Sequence, residues 1–465
     1  MFQLSRRAYR LDSVSEEKLF EYFQDSIAPR LASYRPLQLD LAFWQTLVPK
    51  LAIEHPPIRH AMLALAATVE KFEARYENVD MQALSSGDAY FALEQYTEVL
   101  EKLNSGISAA TLSVEATLIC CLLLTLCDLW HFGLPLSFKH VFGGLGLCKV
   151  IKKTSPSKSP LPEATEIEGK VMLPAYLHFA DTALVELDNP NDEELVLLQE
   201  FGERLGPIVP PPLTNLEETY AVMDKVIRQI AKLEPGVTPG PIVDIGRHLS
   251  MLLLTCENNF GGFESDVLAD RQLLKVHHRA ALVMLHVITT GAESAYDQHT
   301  ADFDFIVSEI EELLYSEEQR TWFGLIPPLF LVATRCHDQQ LSHRALRVLH
   351  GAHQLERFWT SCTAYQIAKE TLRLQANAAP HHGIRLNSIL FDPENSEIKL
   401  GYSSTQAGPQ SSNTSIIAWQ PDQDSIYAVH NREAYYMPAN ILKVSGYTSL
   451  MLAFRRDGCH CAGAG

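Results

Sequence analysis

The run from Ala116 to Leu129 constrains this chain more than any other stretch. It reads Ala-Thr-Leu-Ile-Cys-Cys-Leu-Leu-Leu-Thr-Leu-Cys-Asp-Leu and is apolar almost throughout. Crossing a bilayer takes about 20 such residues. This run is shorter, and it contains Thr125 and Asp128. A helix that is apolar on all sides belongs inside a protein core. The run therefore predicts a buried central helix, and with it a domain with enough further helices to surround it.

Those helices are legible on both sides. Leu19, Phe20, Tyr22, Phe23, Ile27 and Leu31 recur at three- and four-residue spacing and predict an opening helix over 14–35. Phe43-Trp44 opens a short second one. Pro56 and Pro57 suit the first turn of a third, since the first helical turn tolerates proline. Met62, Leu65, Val69 and Phe72 then share one face up to Tyr76. Further helices are expected at 88–103, 112–130, 137–151, 242–257, 267–290, 302–315, 325–335, 339–350 and 354–375. Thr214 with Glu217 has capping-box spacing ahead of the stripe Tyr220, Met223, Ile227, Ile230 and Leu233. Pro- and Ser-rich residues 152–164 and proline-rich 206–212 are expected as connectors. From Asn377 the pattern changes: 389–391, 397–400 and 425–429 look extended, and 403–415 look like a mobile loop. The expected fold is all-α, an irregular compact multi-helix domain over residues 1–376, followed by a short, partly extended C-terminal tail over 377–465.

With 465 residues, 46% of them hydrophobic, the chain has material for a large core. Its net charge of −18 comes from 56 acids against 38 bases. Such a chain is repelled by phosphate backbones unless basic residues cluster locally. The nearest approach to a cluster is Arg6, Arg7 and Arg10, soon followed by Glu16 and Glu17. The nine cysteines lie mostly in apolar stretches and suggest no disulfide framework, which fits a reducing compartment, cytosol or nucleus. Met1-Phe-Gln-Leu-Ser-Arg-Arg has no signal-peptide apolar core.

Enzyme signatures are missing: no Gly-x-Ser-x-Gly elbow, no phosphate loop, no dinucleotide fingerprint and no His-Glu-x-x-His. Asp302 with Asp304, and Asn189 to Asp192, lack the second aspartate that a magnesium-diphosphate site needs; helix capping is the better reading. His337, His343, His350 and His353 fall near Cys336, and a zinc site can be drawn through them. Their alternation with Arg344 and Arg347, beside apolar Ala345, Leu346, Val348 and Leu349, describes instead the polar face of an amphipathic helix. His277-His278 is a weaker candidate. Cys459-His460-Cys461 offers three ligands in a Gly- and Ala-rich terminus. No catalytic, cofactor-binding or metal-ligating residue is assigned, and no cofactor is expected.

Four segments, in order, resemble the regulatory domain of fungal transcription factors of the binuclear zinc-cluster class. The first is Phe43-Trp44 followed by His55-Pro-Pro-Ile-Arg-His-Ala-Met-Leu-Ala-Leu-Ala-Ala67. The second is Ala92-Leu-Glu-Gln-Tyr96, continuing to Leu103. The third is Leu118 to Leu124, Asp128-Leu-Trp130, then Phe138-Lys-His140 and Gly144-Leu-Gly-Leu147. The fourth runs from Gly324-Leu-Ile-Pro-Pro-Leu329 through Ala333-Thr-Arg-Cys-His-Asp338 and Arg344 to Leu349, closing on Glu356-Arg-Phe-Trp359. Family chains carry an acid at the end of the third segment's apolar helix and a basic–His pair before the next helix. They often carry Arg-Glu-Gly-Leu-Trp where this chain has Leu355-Glu-Arg-Phe-Trp359, so Arg357 and Phe358 depart.

The family usually carries six cysteines that hold two zinc ions and place a short helix in the major groove. Here the first cysteine is Cys120, inside the apolar run, and no Cys-x-x-Cys pair occurs. Either a DNA-binding exon is missing from this version of the sequence, or the protein regulates through partners. The resemblance thus implies a nuclear regulator, shared with the cytoplasm, of a metabolic gene cluster, including secondary metabolism. Its partners would be proteins, either itself or a zinc-cluster transcription factor. No direct DNA contact by this chain alone and no membrane association are expected, and a small-molecule effector is allowed. The alternatives are a helical enzyme of secondary metabolism, which needs convergent acids or a nucleophile–base pair, and a helical-repeat scaffold, which needs evenly stacked helix pairs.

Overall fold

A computed structural model describes residues 14–33, 39–76, 90–109, 111–131, 134–154, 172, 175–179, 196–197, 216–233, 247, 250–252, 254–255, 268–315, 324–352, 354–356, 359–378, 384–392, 395–404, 413–418, 435–437 and 453–455. The chain divides into two compact units, residues 1–184 with 189–202, and residues 185–188 with 203–465.

In the first unit, α1 (Val14–Tyr22) runs through a π turn, Phe23–Ile27, into α2 (Ala28–Ser33). A second π turn, Phe43–Leu47, leads into α3 (Val48–Glu54), and ahead of the turn Asp40 Oδ1 accepts from the Phe43 amide at 2.8 Å. The two π turns are clasped by reciprocal bonds: the Gln24 amide donates to the Gln45 carbonyl and the Gln45 amide to the Gln24 carbonyl. Extended backbone at His55 ends α3, and α4 (Pro56–Tyr76) starts at once on its two prolines.

Every residue from Ala61 to Ala67 is buried, as a helix enclosed on all sides requires. Four of the seven are alanines, and α1, α3, α5 (Phe91–Ser108) and α6 (Val114–His131) all pack against α4. The apolar run is α6. From Ala116 to Asp128 all its residues are buried except Cys121, which is half-buried. α6 ends at His131, and α7 (Leu134–Thr154) packs back along it as a helical hairpin. Tyr176 is fully buried and donates its hydroxyl to the Leu118 carbonyl at 2.7 Å. Its ring lies on Gly144 of α7, where a Cβ would sit 2.2 Å from Cε1. Glycine is required there by this close approach.

The second unit contains α8 (Leu216–Lys232), α9 (Leu268–Thr290), a 3-10 turn at Glu293–His299, α10 (Thr300–Tyr315), α11 (Ile326–Arg335), α12 (Gln339–Ala352) and α13 (Ser361–Asn377). The nine residues Ile326 to Thr334 are all buried, so α11 is the central helix of this unit. Asp338 Oδ1 caps α12 through the Gln340 and Leu341 amides, and Thr360 Oγ1 caps α13 through the Thr363 amide at 3.0 Å.

The helix expected over 354–375 begins only at Ser361. Ahead of it, β1 (Gln354–Glu356) and β2 (Trp359–Thr360) form a tight antiparallel hairpin in which Glu356 faces Trp359. β7 (Ala453–Arg455) pairs with β1 on its other side. Backbone pairing to β7 and the Thr360 cap together outweigh the apolar spacing that suggested an earlier helix start. The departures at Arg357 and Phe358 lie outside the described residues.

The extended stretches expected at 389–391 and 397–400 fall in β3 (Ile384–Asp392) and β4 (Glu397–Ser404). These lie in a four-stranded antiparallel sheet of order β5-β4-β3-β6, with β5 (Asn413–Ala418) and β6 (Tyr435–Met437). Leu386, Ile389, Phe391, Ile398 and Leu400 join the same apolar core as α8 to α13. Of the expected loop at 403–415, residues 403–404 and 413–415 lie in strands and 405–412 lie outside the described residues. Of the expected connector 152–164, residues 152–154 continue α7 instead, and 155–164 lie outside the described residues. So do the expected connector 206–212, the extended stretch 425–429, the capping residue Thr214, and most of the helix expected over 242–257.

Candidate functional site

Among the described residues, the metal and catalytic candidates that the sequence offered do not converge. His337 hydrogen-bonds Asp297, the His343 ring bonds the Gln339 carbonyl one turn back at 2.6 Å, and His350 stands edge-on to Tyr365 at 4.8 Å between centroids. Cys336 is buried. His343 and Arg347 are exposed while Ala345, Leu346, Val348 and Leu349 are buried, the division of an amphipathic helix. His277 and His278 are buried in α9, where burial depresses the His277 imidazole to about 3. His353, Cys459, His460 and Cys461 lie outside the described residues. Among the described residues no three His, Cys, Asp or Glu side chains are grouped to hold a metal ion.

Asp302 and Asp304 turn to different partners. Asp302 takes the His299 Nδ1 at 2.8 Å, and the other ring nitrogen of His299 meets His286 Nδ1 at 2.7 Å. Asp304 belongs to a clamp around Arg344. The guanidinium donates to Asp304 at 2.8 Å, to Ser308 at 3.1 Å and to both oxygens of Glu311, the shortest contact being 2.6 Å. A forked, bidentate cation is what a planar guanidinium supplies and an ammonium does not. The clamp joins α12 to α10.

A buried titratable cluster lies in the first unit. Asp128 near the end of α6, His140 on α7 and Tyr96 on α5 meet there. The Tyr96 hydroxyl lies 2.9 Å from His140 Nε2, which is 3.4 Å from Asp128 Oδ2. Asp128 is 1% exposed. Burial pushes its carboxyl up to about 7, against a smaller opposing pull from the Tyr96 hydrogen bond. Burial, with Lys139 adding to it, pushes His140 down to about 4. Tyr96 is driven well above its ordinary range, first by burial and then by the Asp128 charge.

Between about pH 4 and pH 7 the Asp128–His140 pair therefore holds one titrating proton, on the carboxyl rather than on the imidazole, while Tyr96 keeps its hydroxyl proton. Two further bonds extend the seam: His60 of α4 meets the Gln95 side chain at 2.7 Å, and the Cys127 thiol points to the Ala61 carbonyl at 3.9 Å. Four helices, α4 to α7, are thus tied by polar contacts inside an apolar unit. The arrangement fixes helix register; it aligns no activated nucleophile with a base. The sequence had shown Tyr96, Asp128 and His140 as separate marks of the resemblance. Their meeting depends on the α6–α7 hairpin, which local spacing does not encode.

The helices α1 to α6 can be compared with known families on this footing. Residues 18–131 match the family model of the fungal specific transcription factor domain. The match takes in the first two of the four resembling segments and the apolar helix of the third. The segment from Gly324 to Trp359 lies outside it. No curated protein and no solved structure matches the chain. The match supports a fungal transcriptional regulator, and the family implies a nuclear location. Among the described residues no helix is long and apolar enough to cross a membrane.

Proposed function

We propose that this protein regulates transcription of a metabolic gene cluster, including secondary-metabolite genes, and does so through protein–protein contacts rather than by transforming a substrate. The observation that carries the reading is the family match over residues 18–131. The gene-cluster assignment rests on the wider resemblance along the chain. The partner mechanism rests on the cysteines, which are not spaced for a zinc cluster, and on the net charge of −18. Its partners are a second copy of itself or a zinc-cluster transcription factor, and a small metabolite is a further candidate effector. Burial of apolar anchors in a partner's groove would supply the affinity.

Deleting the gene and sequencing the transcriptome tests the function. A coordinated change in one set of neighbouring metabolic genes is the expected result. An unchanged transcriptome, together with turnover of a metabolite by the purified chain, would replace this reading with an enzymatic one.

A further inference from the structure

We propose that Cys121 and Cys148 form a dithiol site across the α6–α7 seam, one that closes to an intramolecular disulfide on meeting a low-molecular-weight disulfide. The hairpin register sets their level. Asp128 and His140 lie 3.4 Å apart near the link between the helices. Cys121 lies seven residues back along α6 and Cys148 eight residues on along α7. At 1.5 Å per residue these are displacements of about 10 and about 12 Å in the same direction, because the helices run antiparallel.

Tyr176 sets the face. Its hydroxyl bonds the Leu118 carbonyl, one turn before Cys121, and its ring lies on Gly144, one turn before Cys148. Cys148 also follows the fully buried Val141 by seven residues, which returns it to nearly the same side of α7. Access is consistent with this placement. Cys121 is the one position between Ala116 and Asp128 that is not fully enclosed, and Cys148 is half-buried as well. After burial, the charge of Cys148 is what raises the Cys121 thiol further.

The chemistry balances as two exchanges. The Cys148 thiolate attacks a disulfide RSSR, forming Cys148–S–S–R and releasing RS⁻. Cys121 then attacks the Cys148 sulfur, and the second RS⁻ leaves. The two thiol protons end on the two RSH products. The protein pair is oxidised by two electrons and RSSR is reduced. Burial pushes the Cys121 thiol up to about 12, so it acts as the slow resolving partner rather than as first attacker. The closed bond would pin α6 to α7 two turns away from the Asp128–His140 contact.

The test uses the full-length reduced protein incubated with oxidised glutathione and mapped as non-reduced peptides by mass spectrometry. The expected product is a linked Cys121–Cys148 peptide two hydrogens lighter than the reduced pair, with Cys120 and Cys127 unmodified. Cys121→Ser should stop at a glutathione adduct on Cys148, and Cys148→Ser should give no link. Oxidation should raise the thermal midpoint of the wild type alone, reversibly with dithiothreitol. A wild type that carries glutathione on Cys148 without the link overturns the proposal. So does one left unmodified after an incubation that oxidises the guanidinium-unfolded chain. A link formed without any rise in midpoint would place it in unfolded molecules and would count equally against the site.

Discussion

Three residues make quantitative demands on the first unit. Gly144 has no room for a methyl group while Tyr176 holds its place, since a Cβ would lie 2.2 Å from the ring. Gly144→Ala is expected to lower stability by about 2 kcal/mol, the usual scale of overpacking. In a Tyr176→Ala background the same change should cost almost nothing, a non-additivity readable by chemical denaturation of the four proteins. Asp128 and His140 make a pH-dependent demand. The folded pair releases protons near 7 and near 4, and the unfolded groups near 6.5 and 3.8, so the intact pair leaves stability almost level across this range. Each single variant should tilt it. In Asp128→Asn only the depressed His140 remains; the unfolded chain takes up its proton first, so stability falls as pH drops from 6.5 toward 4. In His140→Gln only the raised Asp128 remains. The unfolded chain releases its proton first, so stability falls as pH rises from about 4 toward 7. Each tilt is on the order of 3 kcal/mol. Thermal midpoints at pH 4.5 and 7.5, compared with wild type, check both signs; parallel profiles for the two variants would refute the proton assignment.

Elements were legible where their cause was local. The proline pair at 56–57 marked a helix start, and full apolarity marked α6 as interior. The start of α13 was missed because its cause is distant: β1 pairs with β7, about a hundred residues further along the chain. The polar seam of the first unit was missed for the same reason, since Tyr96 and His140 are 44 residues apart. Helix ends and clamps can be tested singly. Thr360→Ala removes the side-chain acceptor at the start of α13 and is expected to cost about 1 kcal/mol. Arg344→Lys keeps the charge but loses the fork onto Glu311. It is expected to cost about 0.5–1 kcal/mol, held low by the partial exposure of both groups, and the cost should shrink in high salt. Denaturation of each variant at low and high ionic strength separates the two cases, because the cap is insensitive to salt and the clamp is not.

At the scale of the whole molecule, charge and shape of function meet. A protein that reads DNA directly gains affinity by displacing counterions with lysine and arginine. This chain has 38 such residues against 56 acids, and Arg6, Arg7 and Arg10 are answered at once by Glu16 and Glu17. Net repulsion from a phosphate backbone grows as salt is lowered, the opposite of what a DNA-binding protein experiences. A transcriptional regulator with this charge is therefore expected to reach its genes through a partner whose own basic surface makes the contact. The expected outcome in a fluorescence-anisotropy titration is no saturable binding of the purified chain to promoter DNA, with no gain as salt is lowered. Adding a zinc-cluster partner should produce a ternary complex in which the salt dependence is the partner's alone. Saturable, sequence-specific binding by the chain by itself, steepening at low salt, would show that its bases are segregated into a DNA-facing surface, and the partner-borne mechanism would fall.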